Sequence, residues 1–366
     1  MKILVYGTPE CEGHHRSYFC AIVKSIIEKY GEECVVTLTP EKCIDVSCRQ
    51  RHITGINWGT KSFVEYYKLI TAVINIANEE KPDCIHIQCG DNFYRFFGIG
   101  FSKLKKYNPI ITFHHMKRSK LRDISLRRIF NNIFCGVVHT AALKKMLIEM
   151  NIKNVEHIEY PQFCQSVTVD SLIARNKLGL RPDIPVFLAL GATREDKGLG
   201  ILLEALKYVK QDFQLLIAGQ EADYTKEYIN KQTESYADKV TCLLKFLNDD
   251  EFAMCLSAAD FVVLPYKKCF DGASGPLGEG VIHGKAIIGP DHGSLGDIIC
   301  RNHLGYTFEA ENVSALSVVL TKALVSRFIQ DENYFKYQEE LNPEHFLRKY
   351  HVLFENVVER KNEFCK

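Results

Sequence analysis

Two cationic side chains stand three residues apart in "GATREDKG": Arg194 and Lys197, after an apolar run that ends at Gly191 and before a helical run from Gly198. Backbone N–H groups at a helix start have no intrahelical partner and, with the helix dipole, favour an anion. A planar guanidinium and a compact ammonium beside them would add two full charges, which makes the loop a candidate cradle for a diphosphate. The same residues would serve equally as a solvated loop, with Arg194 and Lys197 neutralised by Glu195 and Asp196. A second stretch, "CFDGASGPLGEGVIHGKAIIG" (269–289), holds six glycines, one proline and two carboxylates, Asp271 and Glu279, in D-x₇-E spacing. Pro276 suits a first helical position, and Gly272, Gly275 and Gly278 keep that helix entrance bare, so that backbone amides can meet a ligand. Carboxylates accept well from neighbouring sugar hydroxyls, a task of fixed geometry rather than of shifted pKa. A turn with a capping carboxylate is the plainer alternative. Neither stretch is a Walker loop, and the fragments "GLG" (198–200) and "GIG" (98–100) carry almost no weight alone.

The elements that must position these residues are legible as short β-branched runs alternating with segments of helical period. Strands are predicted at 2–6, 34–38, 83–88, 110–114, 135–140 and 155–160, with helices at 16–30, 61–80, 92–106, 125–131 and 141–150 between them. Residues 161–185 break the alternation with a proline at each end. A second series follows, with strands at 186–191, 213–219, 240–245, 260–266, 286–289 and 305–308, helices at 198–210 and 249–259, and a last helical stretch "PEHFLRKYHVLFENVVERKNEF". Such alternation means parallel sheets covered on both faces. The fold class read here is therefore α/β, two Rossmann-like domains facing across a cleft: 1–165, 166–340, and a C-terminal helix 341–366 expected to pack back on the first domain. Ligands of open α/β sheets bind beyond the carboxyl ends of the strands, so the chemistry is expected just after strands in both halves.

The chain of 366 residues is 46% hydrophobic and 25% charged with a net charge of +1, which gives no global argument for nucleic acid. Apolar stretches fall short of the roughly 20 residues of a membrane helix. The start "MKILVYG" lacks the apolar core of a secretion signal, and a cytoplasmic location is expected. The 14 cysteines form no C-x-x-C pair and sit mostly in apolar runs, as reduced core thiols do.

The ordered pieces "GATREDKG…LLEAL", "LLIAG" (215–219), "DDEFAMCLSAADFVVLPY", "SGPLGEGVIHGKAIIG", "GSLGDII" (293–299) and "LGYTFEAENVSAL" resemble the donor-nucleotide domain of GT-B retaining glycosyltransferases of family four, the group 1 type. The likeness covers roughly 186–326. The first half is similar more loosely, through "EGHHRSYFCAIVKSI", "DCIHIQ", "ITFHH" and "CGVVHTAALKKMLIEM". The resemblance implies a retaining transfer from a nucleotide sugar, UDP- or GDP-linked, to a glycan, lipid-linked or small-molecule hydroxyl in polysaccharide or glycoconjugate assembly, with no separate cofactor and no metal. It further implies that Arg194 and Lys197 bind the donor diphosphate, that Glu279 holds the ribose hydroxyls, and that Asp271 accepts from the donor sugar. Backbone at Ser274, Gly275, Pro276 and Leu277 would touch sugar and phosphate, with Gly191 and Gly219 beside them. His114 would reach the sugar from the first domain, and Gly13 would admit phosphate or acceptor. The chain departs from the family's usual pattern where Asp271 and Asp297 stand in place of Glu, where Ala192 replaces an arginine, and where Gly13 lacks a second glycine beside it. The same fold also serves nucleotide-sugar epimerases and catalytically inactive binding proteins.

On the acceptor side the residues to consider are His14, His15, Lys117 and Arg118. "GHHR" and "FHHM" have no carboxylate or cysteine at metal-ligand spacing, and His139 reads as a satisfied interior histidine. "HHMKRSKLRDISLRR" (114–128) places six Lys and Arg among Leu121, Ile124 and Leu126. It reads either as a solvated helix face or as a patch meeting anionic membrane at its inner face.

Overall fold

A computed structural model describes residues 1–7, 14–40, 46–56, 58, 62–91, 93–114, 116, 118–163, 169–270 and 274–364, with backbone alone for 14, 15 and 361–364. The chain forms two compact units, Met1–Phe163 with Pro343–Lys366, and Cys164–Asn342.

In the first unit β1 (Ile3–Tyr6), β2 (Val35–Thr39), β3 (Arg49–His52), β4 (Cys84–Ile87), β5 (Ile110–Phe113), β6 (Cys135–Val138) and β7 (Val155–His157) form one sheet. Its order is β3-β2-β1-β4-β5-β6-β7 and every pairing is parallel. Helices α1 (His14–Tyr30), α2 (Phe63–Glu80), α3 (Phe101–Leu104), α4 (Lys120–Phe130) and α5 (Ala141–Glu149) accompany it. Successive strand side chains point to opposite faces, and the core divides accordingly. Leu4, Tyr6, Val36, Leu38, Ile85 and Ile87 join one cluster, while Ile3, Val5, Val35 and Cys84 join the other.

The second unit has β8 (Val186–Leu190), β9 (Gln214–Ala218), β10 (Val240–Leu243), β11 (Phe261–Val263), β12 (Ala286–Pro290) and β13 (Gly305–Phe308), preceded by α6 (Ser171–Lys177). They pair in parallel in the order β10-β9-β8-β11-β12-β13. Helices α7 (Leu199–Leu206), α8 (Lys226–Gln232), α9 (Asp249–Ala258), α10 (Gly275–Ile282), α11 (Gly293–Arg301), α12 (Val313–Val325) and α13 (Glu332–Glu340) flank them, and α14 (Pro343–Phe364) returns to the first unit. The strand order reverses at β1/β4 and again at β8/β11, the two places where such sheets open a crevice beyond their strand ends.

Within the first unit α14 lays Phe346, Tyr350 and Phe354 into the cluster that holds Tyr18 and Phe19 of α1. The Tyr350 hydroxyl meets Thr112 Oγ1 at 2.7 Å and bonds the Tyr18 hydroxyl, while His86 Nε2 reaches the same Thr112 oxygen at 3.3 Å. Burial, with His139 nearby, holds the His86 pKa down to about 3, so this ladder contains a neutral imidazole.

Three expectations change, and one strand was not anticipated. The single helix expected over 92–106 is a 3₁₀ turn Phe93–Phe96, then α3, then a second turn Lys105–Tyr107. Phe97, Gly98 and Gly100 have φ of 54°, 57° and 98°, left-handed values that stop a helix. A Cβ on Gly98 would lie 2.5 Å from Ile129 Cγ1 and one on Gly100 would lie 2.4 Å from Ile70 Cγ1, so close packing on α2 and α4 decides this turn. The helix expected at 125–131 starts at Lys120, where the Ser119 hydroxyl accepts from the Arg122 N–H. The stretch 161–185 contains α6, capped by Asp170. Finally, "RQRH" is an edge strand, β3, with no apolar period. Arg49 and Arg51 both pair with the buried Glu80 of α2, at 2.9 and 2.8 Å, beside Lys2 at 2.9 Å.

Candidate functional site

The loop after β8 is built around two close backbone approaches. Gly191 (φ 106°) donates its N–H to Ala218 O at 2.8 Å, and Gly219 (φ 139°) lies so near that a Cβ there would stand 2.4 Å from the Gly191 carbonyl. Thr193 is buried and holds the loop to its neighbour: its hydroxyl donates to Tyr224 O at 2.8 Å and accepts from Ala222 N at 2.9 Å. Asp223 accepts the Glu195 N–H at 2.8 Å. A 3₁₀ turn Glu195–Lys197 then leads through Gly198 into α7, whose first turn has no side-chain cap.

The four charges of this loop divide unequally. Arg194 grips Asp196 through two bonds of 2.9 and 2.7 Å and its side chain is half exposed. Glu195 takes Lys267 at 2.9 Å. Lys197 has no ion pair among the described residues. Its ammonium occupies the space above Gly191, where a Cβ would meet Nζ at 2.5 Å, and lies 5.8 Å from the Tyr266 ring centroid. Burial first, then the Arg194 charge, hold its pKa below the usual lysine value against the opposing pull of Asp196. Neutralisation by loop carboxylates thus accounts for Arg194 and leaves Lys197 uncommitted.

The loop after β11 brings in the other wall. The Tyr266 ring packs against Phe270, centroids 4.5 Å apart and planes tilted by 53°, and its hydroxyl meets the Ser274 hydroxyl at 3.4 Å. Ser274 caps α10 by accepting the Leu277 N–H at 3.3 Å, and Pro276 Cγ lies 3.8 Å from the Cβ position of Gly191. Glu279, one turn further on, is 5% exposed, and its Oε2 has no hydrogen-bond partner among the described residues. Burial, aided by the Asp249 charge, pushes its pKa up to about 7. Gly191, Gly219, Lys197, Ser274, Gly275, Pro276, Leu277 and Glu279 therefore all lie at one switch point, β8/β11. Asp271 lies outside the described residues.

In the first unit His114 follows β5 directly. Its N–H bonds Asp91 at 3.2 Å, its Nε2 meets Gln88 O at 3.0 Å, and its ring stands 5.0 Å from His139. His139 is buried with Nδ1 at 2.8 Å from Ile158 O. Arg118 pairs with Asp123 at 2.8 Å. Gly13 and Lys117 lie outside the described residues, and His14 and His15 are described only as the backbone that opens α1. Among the described residues no group of three or more His, Cys, Asp or Glu stands close enough to hold a metal ion, and no helix is long and apolar enough to cross a membrane.

Thr193, Asp223 and Tyr266 were not singled out from the sequence. Tyr266 had a usable signal, as an aromatic directly after the "VVLP" strand exit. The other two act through partners some 30 positions away, which a linear pattern does not pair.

Residues 170–341 match the family described as glycosyl transferases group 1. That match spans most of the second unit. No curated protein matches the chain in sequence. Among solved structures the chain is similar to sucrose-phosphate synthase from Thermosynechococcus elongatus, at 17% identity and a TM-score of 0.76 over 98% of this chain and 100% of that one. The lipopolysaccharide outer core galactosyltransferase WaaB follows at 14% and 0.71, over 99% and 100%. HepE of Anabaena, in complex with UDP and glucose, gives 14% and 0.69 over 97% and 100%. Likeness of this extent shows the GT-B glycosyltransferase fold over the whole chain.

Proposed function

We propose that this chain is a retaining glycosyltransferase that moves a sugar from a nucleotide sugar, UDP- or GDP-linked, to a hydroxyl of a glycan, lipid-linked or small-molecule acceptor in polysaccharide or glycoconjugate assembly. The observation that carries the reading is the uncommitted Lys197 ammonium above Gly191 at the β8/β11 switch point, together with the buried Glu279 oxygen of α10 that lacks a partner among the described residues. The solved neighbours with bound UDP, UDP-glucose or ADP support a nucleotide-sugar donor.

Breaking the bond between sugar and diphosphate builds negative charge on the leaving phosphate and oxocarbenium character on the sugar. Lys197, the entrance of α10 and, once released from Asp196, Arg194 stabilise that phosphate, a role preorganised groups fill best in a desolvated site. In this reading they serve where other transferases use a metal. Glu279 accepts the ribose hydroxyls, Asp271 and His114 take the donor sugar, and Gly13 leaves room for phosphate or acceptor. The departing phosphate takes the acceptor's proton on the same face of the sugar, which preserves its configuration. His14, His15, Lys117 and Arg118 belong to the acceptor side.

The test is a screen of UDP-, GDP- and other nucleotide sugars for binding, slow hydrolysis and transfer. Donor isomerisation without acceptor would make the protein an epimerase, and donor binding without any turnover would make it a binding protein. Glu279 adds a pH signature. The carboxylate is the better acceptor, and its ionised fraction grows as pH rises through about 7. A nucleotide diphosphate sugar has no group of its own titrating there. Donor affinity should therefore rise by up to about tenfold from pH 6 to pH 8, and Glu279→Gln should flatten the curve. A wild-type affinity independent of pH would remove Glu279 from the ribose.

The acceptor reading includes peripheral contact with an anionic membrane from the cytoplasmic side. Leu121 and Ile124 of α4 are 63% and 57% exposed beside Lys120, Arg122, Arg127 and Arg128. Leu121→Glu with Ile124→Glu should abolish co-sedimentation with vesicles containing phosphatidylglycerol. Sedimentation unaffected by the double change would return α4 to a solvated face.

A further inference from the structure

A cavity of the second unit lies at the opposite end of its strands from the site above, before β8, β11 and β12 rather than after them. It has a volume of about 900 Å³ and opens between the residues that lead into β8, β11 and β12 and the segment joining α12 to α13. Pockets of roughly 300–1,000 Å³ are those that take small organic ligands.

Its charges are unevenly committed. The Arg175 guanidinium is buried and its charge is paired, donating to Ala258 O, Pro182 O and Asp260 Oδ2 at 3.0, 2.6 and 2.7 Å. Asp260 is neutralised by that contact and also accepts the Val186 N–H at 2.7 Å. Lys285 is different. Its ammonium makes one long bond, 3.4 Å to Ser257 O, and no ion pair among the described residues. Burial lowers its pKa, with Asp260 opposing and Arg175 adding to the effect. At the mouth Arg327 is exposed and likewise has no ion pair among the described residues. The cavity's uncommitted charges are thus two cations, Lys285 and Arg327, against one exposed carboxylate, Asp183, which has no ion pair among the described residues. Ile184 and Phe328 give this otherwise polar lining an apolar portion, and Ile329 and Phe335 beside it are 76% and 52% exposed. Large apolar side chains left in water beside a cavity mark a binding surface.

We propose that this cavity binds a soluble amphipathic anion, a phosphate or carboxylate head on an apolar body, with Lys285 and Arg327 holding the head and Phe328, Ile329 and Phe335 covering the body. The site is also joined to the helix that bears Glu279. Gln330 donates to Gly284 O at 2.7 Å, and the single Tyr334 O–H is shared between Val281 O and Lys285 O at 3.1 and 2.9 Å, all at the end of α10. This assignment does not depend on the proposed transferase activity.

The probe is octyl phosphate below its micelle concentration, titrated calorimetrically into the full chain beside inorganic phosphate, with and without UDP-glucose. Octyl phosphate should bind at one site, at least about tenfold more tightly than inorganic phosphate, and equally with or without UDP-glucose. Lys285→Met and Arg327→Glu should each weaken it about tenfold or more, as expected for loss of a charged partner. Arg327→Glu keeps the test open if Lys285→Met fails to fold, since Arg327 is exposed and makes no ion pair among the described residues. Unchanged affinity in a folded variant, or displacement of octyl phosphate by UDP-glucose, would overturn the assignment. Arg327-dependent sedimentation with anionic vesicles and no octyl phosphate binding would make the surface a bilayer contact and overturn it too.

Discussion

Lys197→Ala should lower turnover about 10²- to 10³-fold, the range seen when one preorganised charge-stabilising donor is removed, while donor affinity moves far less. The Lys197 ammonium sits over Gly191 and within reach of the Tyr266 face, partly desolvated and with no described carboxylate to pair with. A charge held that way interacts most strongly with a phosphate that gains charge as the bond breaks, so its loss falls on kcat rather than on KM. Arg194→Ala should lose less, roughly tenfold, because its guanidinium must first leave Asp196. Lys197→Arg should not rescue, since a planar fork does not fit where a point charge lies against the Gly191 backbone. Steady-state kinetics with donor binding measured separately decides it. Turnover of Lys197→Ala within threefold of wild type would remove Lys197 from the leaving-group phosphate.

Gly219→Ala should cost about 3 kcal/mol or more of second-unit stability, combining strain of about 1–3 kcal/mol at positive φ with a steric overlap that backbone must relieve. Its Cβ would lie 2.4 Å from both C and O of Gly191, atoms fixed by the β8–β9 pairing. Gly179 is the matched control in the same unit. It has φ of 69° but nothing within 4 Å of its Cβ position, so Gly179→Ala should cost only about 1–2 kcal/mol. For a unit of this size the first substitution should shift the unfolding midpoint by roughly 6–12 °C and the control by about half or less. Hydrogen exchange of β8 and β9 amides localises the effect to this unit. Equal losses for the two variants would show that backbone conformation alone, not the approach to Gly191, makes Gly219 necessary.

Every strand that carries a continuous apolar run was legible, because burial on both faces leaves an unbroken β-branched signature. β3 was not, since "RQRH" becomes a strand through pairing with β2 and ion pairs to Glu80, both remote in sequence. The break at 97–100 was hidden in the same way: "GIG" looks neutral until Ile70 and Ile129 stand against it. In the site, the cations and the α10 carboxylate could be named from their positions after strands. What the sequence did not reveal was their pairing. Four charges within four residues allow several partitions, and only the fold shows Arg194 closed on Asp196 and Lys197 left open.

The ladder Tyr18–Tyr350–Thr112 bears on the order in which the protein is made. Residues that complete the first unit, Phe346, Tyr350 and Phe354, belong to α14, which is synthesised only after the whole second unit. Domains ordinarily fold in the order they leave the ribosome. Here the first sheet waits through some 180 further residues with one apolar face partly bare, and the neutral His86 beneath it uncovered. A ribosome that stalls near the end of the message therefore releases a chain whose beginning, not its end, is the part left unfinished.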